Sequence, residues 1–196
     1  MRLMFPLATA LLLAAGSATA APVRYDLDPN HTRIDFSWTH FGFSHPMGRF
    51  DRFDGDFRFD PADPTKSSVT VTIPIDSIDT GVAKLDAHLK TDEFFNVAKY
   101  PTATFKSTRV ERNGEHGLKV TGDLTLHGVT KPVVLDVTVN KVGRHPMAGR
   151  DAAGFDASAT IKRSDFGISH YVPNVSDEIT LSISTEAIVP AAGQSR

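Results

Sequence analysis

Residues 118–139, LKVTGDLTLHGVTKPVVLDVTV, decide the fold class of this chain. Apolar and polar residues alternate through the first half of the stretch and again through residues 133–139. This period of two is typical of strands with one buried face. His127 and Gly128 separate the two halves, and a glycine supplies the positive φ that a tight hairpin turn needs. The stretch therefore predicts a β-hairpin.

The same alternation recurs along most of the chain. One short stretch differs, because apolar residues at 82, 85 and 89 follow the spacing of a helix. Antiparallel strands with one apolar face bury that face against a second sheet or by closing into a barrel. The periodicity predicts an all-β fold and leaves sandwich and barrel open. The predicted strands cover residues 23–28, 33–40, 53–60, 69–75, 102–111, 118–126, 133–139, 155–161 and 179–185.

The first twenty residues have the pattern of a secretory signal peptide. A basic residue at position 2 precedes an apolar run over residues 3–15, and residues 18–20, Ala-Thr-Ala, form a small-x-small cleavage site. The apolar run is shorter than the roughly 20 residues that a membrane span needs. We therefore expect a signal peptide at 1–20, one domain at 21–196, export without a stable membrane anchor, and a periplasmic location in a Gram-negative source.

Composition narrows the function classes further. Lys and Arg number 21 against 23 Asp and Glu, so the net charge of -2 offers no electrostatic case for a nucleic-acid partner. The chain has no cysteine, and its stability must come from its own core. Thirteen Phe stand against three Tyr and one Trp. Since Phe brings apolar area without a hydrogen-bonding group, this bias favours a dry interior.

Motifs for catalysis are missing from the sequence. It contains no G-x-S-x-G, no phosphate-binding G-x-x-x-x-G-K-[ST], no G-x-G-x-x-G and no H-E-x-x-H. The eight histidines keep an imidazole–carboxylate metal site open, but none of them falls in a short ligand pair. An enzyme using His and Asp and a periplasmic metal carrier stay as alternatives, although no residue is predicted as catalytic or as a metal ligand. The histidines are His31, His40, His45, His88, His116, His127, His145 and His170.

Two segments interrupt the alternation with mixed polar and aromatic residues. In residues 163–168, RSDFGI, either a loop tucks Phe166 and Ile168 over the end of the core, or Arg163 neutralises a polar head group at a rim. In residues 91–95, TDEFF, Phe94 and Phe95 bring apolar area to the core or to the mouth of a barrel.

Four ordered motifs, of which the opening of the chain is one, resemble the YceI-like family. The resemblance covers roughly residues 23–189. Asn30-His31-Thr32 and Lys90-Thr91 depart slightly from the family pattern without much change in charge or hydroxyl chemistry. The motifs are 85–96 (LDAHLKTDEFFN) with 100–105 (YPTATF), 122–131 (GDLTLHGVTK), 163–168 (RSDFGI), and the opening Tyr25, Asp28-Pro29, His31, Gly48-Arg49-Phe50, Phe53 and Gly55.

The resemblance implies a lipocalin-like antiparallel β-barrel of about eight strands with one or two short helices. It also implies a binding protein without enzymatic activity or cofactor, whose lumen takes a long apolar lipid such as a polyisoprenoid or an isoprenoid-quinone-like compound. A homodimer stays open. Arg163 is placed at the head-group rim. Alternation and resemblance together place Phe36, Trp38, Phe41, Phe43, Phe57, Phe105, Leu124, Phe155, Ile161, Phe166 and Ile168 along the lumen.

Overall fold

The computed structural model describes residues 21–193, so the predicted signal peptide at 1–20 lies outside the described residues. Its one α-helix, α1, covers Ala83–Leu89, and short 3-10 turns lie at Pro64–Lys66, Ile75–Ser77 and Arg163–Phe166. The strands are β1 (Val23–Leu27), β2 (Arg33–Ser37), β3 (Met47–Phe50), β4 (Asp54–Phe59), β5 (Ser68–Pro74), β6 (Ile78–Asp79), β7 (Thr102–Arg112), β8 (Gly117–Leu126), β9 (Val129–Arg144), β10 (Asp151–Lys162) and β11 (Glu178–Ile188).

The strands close into an eight-stranded antiparallel barrel, which confirms the predicted fold class and decides between barrel and sandwich. β1 and β2 act as one long strand bent at residues 28–32, since both pair with β11. β3 and β4 form a second bent strand, because they pair with β2 and β1 respectively. β5, β7, β8, β9, β10 and β11 complete the ring, and the short β6 pairs with β3 outside it.

The two ends of the barrel carry different connections. At one end, called here the mouth end, lie segments 38–46, 75–101, 127–128 and 163–177. At the opposite end lie segments 60–67, 113–116 and 145–150. Helix α1 belongs to the mouth end.

The predicted hairpin is confirmed at residue level. β8 pairs with β9 from Leu126 and Val129 outward, and His127 and Gly128 form the turn with φ of 52° and 76°. Both values are left-handed, as a two-residue turn matching the twist of the strands requires. The second predicted strand was too long: β2 ends at Ser37, because the chain turns at residues 40–44 with positive φ at Phe41 and Gly42.

One part of the wall is not built by strand pairing. β10 pairs with β9 only from Asp136 onward, so residues 129–135 of β9 have β8 as their one strand neighbour in the described chain. The Arg163–Phe166 turn contacts β9, and Phe166 packs in one core cluster with Val133 of this stretch. Pro132 lies on the same stretch, where its missing amide donor costs no ladder bond to β10.

Candidate ligand-binding cavity

The barrel encloses a cavity of about 710 Å³ whose walls are overwhelmingly apolar. This volume falls in the upper part of the roughly 300–1,000 Å³ range of small-molecule sites. Among the described residues, Arg163 is the one Lys, Arg, Asp or Glu in the lining, and His40 and His88 are its two histidines. A ligand that fills this space would find much apolar surface and few polar partners.

Aromatic rings fill the end of the cavity opposite the mouth. Phe57 and Phe59 on β4 both meet the ring of Phe155 on β10 edge to face, at centroid distances of 5.4 and 5.1 Å. Tyr25 on β1 packs against Phe59 from outside the lining at 5.8 Å. Burial, and then the nearby Asp151, raise the pKa of the Tyr25 hydroxyl.

A second aromatic group lines the wall toward the mouth. Phe36 on β2 stacks on Trp38 at 5.8 Å and lies 5.4 Å from Phe50 on β3. Phe50 in turn meets Phe95, which follows α1. Phe94 and Phe95, which were predicted to bring apolar area to the core or to the mouth, both line the cavity and pack against the core.

Two strand glycines leave space for these rings. A Cβ on Gly48 would lie 2.5 Å from the ring of Phe36, and a Cβ on Gly122 would collide with the ring of Phe105 and lie 2.7 Å from the Lys106 carbonyl. The ring therefore occupies the space that a side chain at the glycine would take. At both positions a glycine on one strand makes room for a ring on the neighbouring strand, so the mixture of large and small residues packs the wall.

Helix α1 lies across the mouth end with one face toward the cavity. Leu85, His88 and Leu89 from α1 line the cavity, as does Val82 immediately before it. Asp86 fixes the start of the helix, since its carboxylate accepts hydrogen bonds from the Thr80 amide at 2.8 Å and hydroxyl at 2.6 Å. The stretch whose apolar residues have helical spacing thus forms a helix over the mouth end of the barrel.

Eight of the eleven predicted lumen residues line the cavity, namely Phe36, Trp38, Phe57, Phe105, Leu124, Phe155, Ile161 and Ile168. Phe41 and Phe43 do not, since the turn at residues 40–44 directs them outward, where 52% and 92% of their surface is exposed. Phe166 is buried but packs outside the cavity, in the core cluster with Val133 and Ile161. These three placements correct the prediction.

Arg163, which was predicted at the head-group rim, is buried and lines the cavity. Its Nε donates to the Ser176 carbonyl at 2.9 Å, its Nη1 to Ile168 at 3.2 Å and its Nη2 to Val175 at 2.9 Å. Burial lowers the pKa of the guanidinium, and Asp177 partly offsets this. These bonds tie the 163–177 segment to the barrel, and contact with a ligand head group stays a prediction.

Four histidines, His31, His40, His45 and His116, are exposed, and the other four are half-buried. His88 and His170 approach one carboxylate, that of Glu93, at 2.5 and 3.8 Å. The hydrogen bond from His88 lowers the pKa of Glu93, with a further contribution from His170. Within residues 21–193, no three His, Asp or Glu side chains are placed to hold a metal ion.

No helix in residues 21–193 is long and apolar enough to cross a membrane.

A closed antiparallel barrel with an apolar lumen and a helix across one end defines a lipocalin-like binding barrel. The sequence model of the YceI-like domain matches residues 25–187, and the chain belongs to the YceI-like family. This confirms the resemblance seen in the sequence motifs.

Relatives and solved structures agree with this membership. A UPF0312 protein of Serratia proteamaculans is 46% identical over 92% of this chain and 93% of its own length. Protein YceI of Escherichia coli O157:H7 is 44% identical over 91% and 92%. Burkholderia cenocepacia BcnA superposes with a TM-score of 0.75 at 27% identity, covering 82% of this chain and 99% of its own. A polyisoprenoid binding domain from Saccharophagus degradans shares the fold, with a TM-score of 0.63 at 17% identity over 86% and 99%.

Proposed function

We propose that the protein is exported and binds a long apolar lipid of the polyisoprenoid or isoprenoid-quinone class in the barrel lumen. It sequesters or carries this lipid without transforming it. The observation that carries the proposal is the 710 Å³ cavity, whose described lining holds one permanently charged side chain, Arg163. Since Arg163 already donates to three backbone carbonyls, the lumen selects against ligands with many polar groups.

The energetic basis is the removal of apolar surface from water. Burial contributes about 25 cal/mol per Å² of apolar area, and an isoprenoid chain has no hydrogen bonds that the cavity must replace. Rings from several strands surround the chain, so its length and shape set the fit. The Saccharophagus degradans domain, which shares this fold, is a polyisoprenoid binding domain, and this supports the same ligand class here.

Extraction of freshly purified protein tests the proposal directly. Organic solvent should release an isoprenoid-type lipid in stoichiometric amount, identified by mass spectrometry. Protein refolded from denaturant and delipidated serves as the empty control. If native protein yields no lipid and the delipidated protein takes up no added isoprenoid, the proposal is wrong.

Trp38 provides an internal reporter for uptake. It is the one tryptophan of the chain, it lines the cavity and it stacks on Phe36. Titration of delipidated protein with an isoprenoid alcohol such as geranylgeraniol should change Trp38 fluorescence saturably. A polar molecule of similar length should produce no saturable change.

Export is tested separately. A fusion of residues 1–20 to a reporter that is active only outside the cytoplasm should give signal, and a fusion lacking these residues should not. The full-length chain should be shortened on export at a site following Ala20. Retention of the intact chain in the cytoplasm would contradict this part of the proposal.

A further inference from the structure

Exposed apolar side chains concentrate at the mouth end of the barrel. Of the nine exposed large apolar side chains in residues 21–193, four lie in the connecting segments of this end, namely Phe41, Phe43, Val82 and Tyr171, and a fifth, Met47, begins β3 directly after segment 38–46. From these, we define the mouth cluster as Phe41, Phe43, Val82 and Tyr171. We infer that the mouth cluster docks on the surface of a lipid bilayer, so that ligand passes between bilayer and lumen. This inference rests on the proposed lipid-binding function.

Two connecting segments present the aromatic members of the mouth cluster, and hydrogen bonds hold them together. The Phe41 amide donates to the Asn174 carbonyl at 2.8 Å, and the Ser176 amide donates to the Thr39 carbonyl at 2.9 Å. Arg163 fastens the second segment to the barrel through its bonds to the Val175 and Ser176 carbonyls. The exposed rings are therefore held on a fixed frame.

The mouth cluster is continuous with the lumen. Val82 and Tyr171 are exposed and also line the cavity, as does His40, the neighbour of Phe41 in sequence. An apolar surface therefore runs from the lumen wall to the outside at this end. A bilayer is the occupant that this continuity favours, because a lipid leaving it reaches the lumen without exposing its chain to water.

The distribution of charge favours an approach to the bilayer with the mouth end first. Residues 38–48 and 166–176 contain no Asp, Glu, Lys or Arg, and the charges of the mouth end lie in segment 75–101 and beside the strand ends. Every connecting segment of the opposite end carries charge, including Asp63, Glu115 and Arg150. Insertion of the two uncharged segments into a bilayer surface buries no charge from them, whereas each connecting segment of the opposite end would bring at least one charge with it.

Sedimentation with vesicles tests the docking surface. The lipid-free protein is mixed with vesicles of phosphatidylethanolamine and phosphatidylglycerol, and the double variant Phe41→Ser/Phe43→Ser is compared with Met147→Ser. Met147 is the matched control, since it is 92% exposed like Phe43 but lies at the opposite end. We expect the double variant to lose about tenfold in vesicle affinity, the low end of the effect of burying one such side chain. Met147→Ser should bind like the wild type.

Uptake of dispersed geranylgeraniol, followed by Trp38 fluorescence, separates this inference from the proposed function. The double variant should keep the wild-type affinity for dispersed ligand. Its rate of ligand uptake should fall only when the ligand is supplied in vesicles. Equal vesicle binding by wild type and double variant would overturn the docking surface. Light scattering that shows a wild-type dimer and a monomeric double variant would overturn it as well, because the cluster would then bind a second copy. Absence of dispersed-ligand uptake in the wild type would instead count against the proposed function.

Discussion

Filling the lumen tests the proposed binding mode most directly, and Ala157 on β10 is the position for it. Ala157 lines the cavity and is flanked by Val137 on β9 and Ile183 on β11, which line it too. The variant Ala157→Trp places an indole where the lipid would lie. The neighbouring Ser158 is exposed on the outer face of the same strand, so Ser158→Trp is the matched control.

The expected loss follows from the area that the indole occupies. An aromatic side chain covers about 150–250 Å² of apolar surface. At about 25 cal/mol per Å², a ligand excluded from that area loses about 4–6 kcal/mol, which is roughly a thousandfold or more in affinity. Because a flexible chain shifts within the 710 Å³ cavity to recover part of the contact, the expected loss is at least tenfold.

Titration of delipidated protein with radiolabelled geranylgeraniol measures the effect without interference from the added tryptophan. Ala157→Leu should give a smaller loss than Ala157→Trp, and Ser158→Trp should leave the affinity unchanged. Thermal unfolding confirms that each variant is folded. Wild-type affinity in a folded Ala157→Trp protein would refute the assignment of the lumen as the binding site.

Three further changes test the wall and the mouth. Arg163→Leu leaves three carbonyls without their donor, and each carbonyl that stays buried costs about 1–3 kcal/mol. Urea unfolding should therefore show that the free energy of unfolding falls by at least about 2 kcal/mol. Unchanged stability with weaker ligand binding would instead favour the head-group role. Gly122→Val forces a side chain into the ring of Phe105 and should lower the free energy of unfolding by about 1–3 kcal/mol. Glu93 has a folded pKa below its unfolded value because of its hydrogen bond to His88, so its stabilisation is present above the unfolded pKa and is lost as pH falls through the folded pKa. In unfolding titrations from pH 7 to pH 3, the free energy of unfolding of Glu93→Gln should accordingly be lower than that of the wild type at neutral pH. This difference should shrink at the acid end.

Alternation along strands allowed much of the wall to be predicted. Phe36, Phe57, Phe105 and Phe155 all lie on strands, and all four line the cavity. The period of two fixes which face a strand residue occupies, so one correct inward residue places its neighbours two positions away. The predicted helix is confirmed because apolar residues at helical spacing lie on one face, and this face of α1 lines the cavity.

The remaining placements depend on turns and long-range pairing, which periodicity does not encode. Phe41 has a φ of 51° and interrupts the alternation, so neither it nor Phe43 could be placed from the strand before them. Phe166 packs with Val133, on the part of β9 that β10 does not pair with, and the point where this pairing stops depends on the register of the two strands. Closure itself rests on the bend at residues 28–32, which lets one stretch of chain pair with β4, β11 and β3.

The choice of phenylalanine follows from the same geometry. Nine of the twelve described phenylalanines line the cavity. A tyrosine at one of these positions would bring a hydroxyl that needs a partner inside a wall with few polar groups, and leaving it unpaired costs about 1–3 kcal/mol. Tyr25, the one buried tyrosine in residues 21–193, is not part of the cavity lining. Phenylalanine thus fills the wall with apolar area and adds no polar group to the lumen. The exposed Phe41 and Phe43 serve neither purpose, and docking on lipid gives them a role that the wall does not.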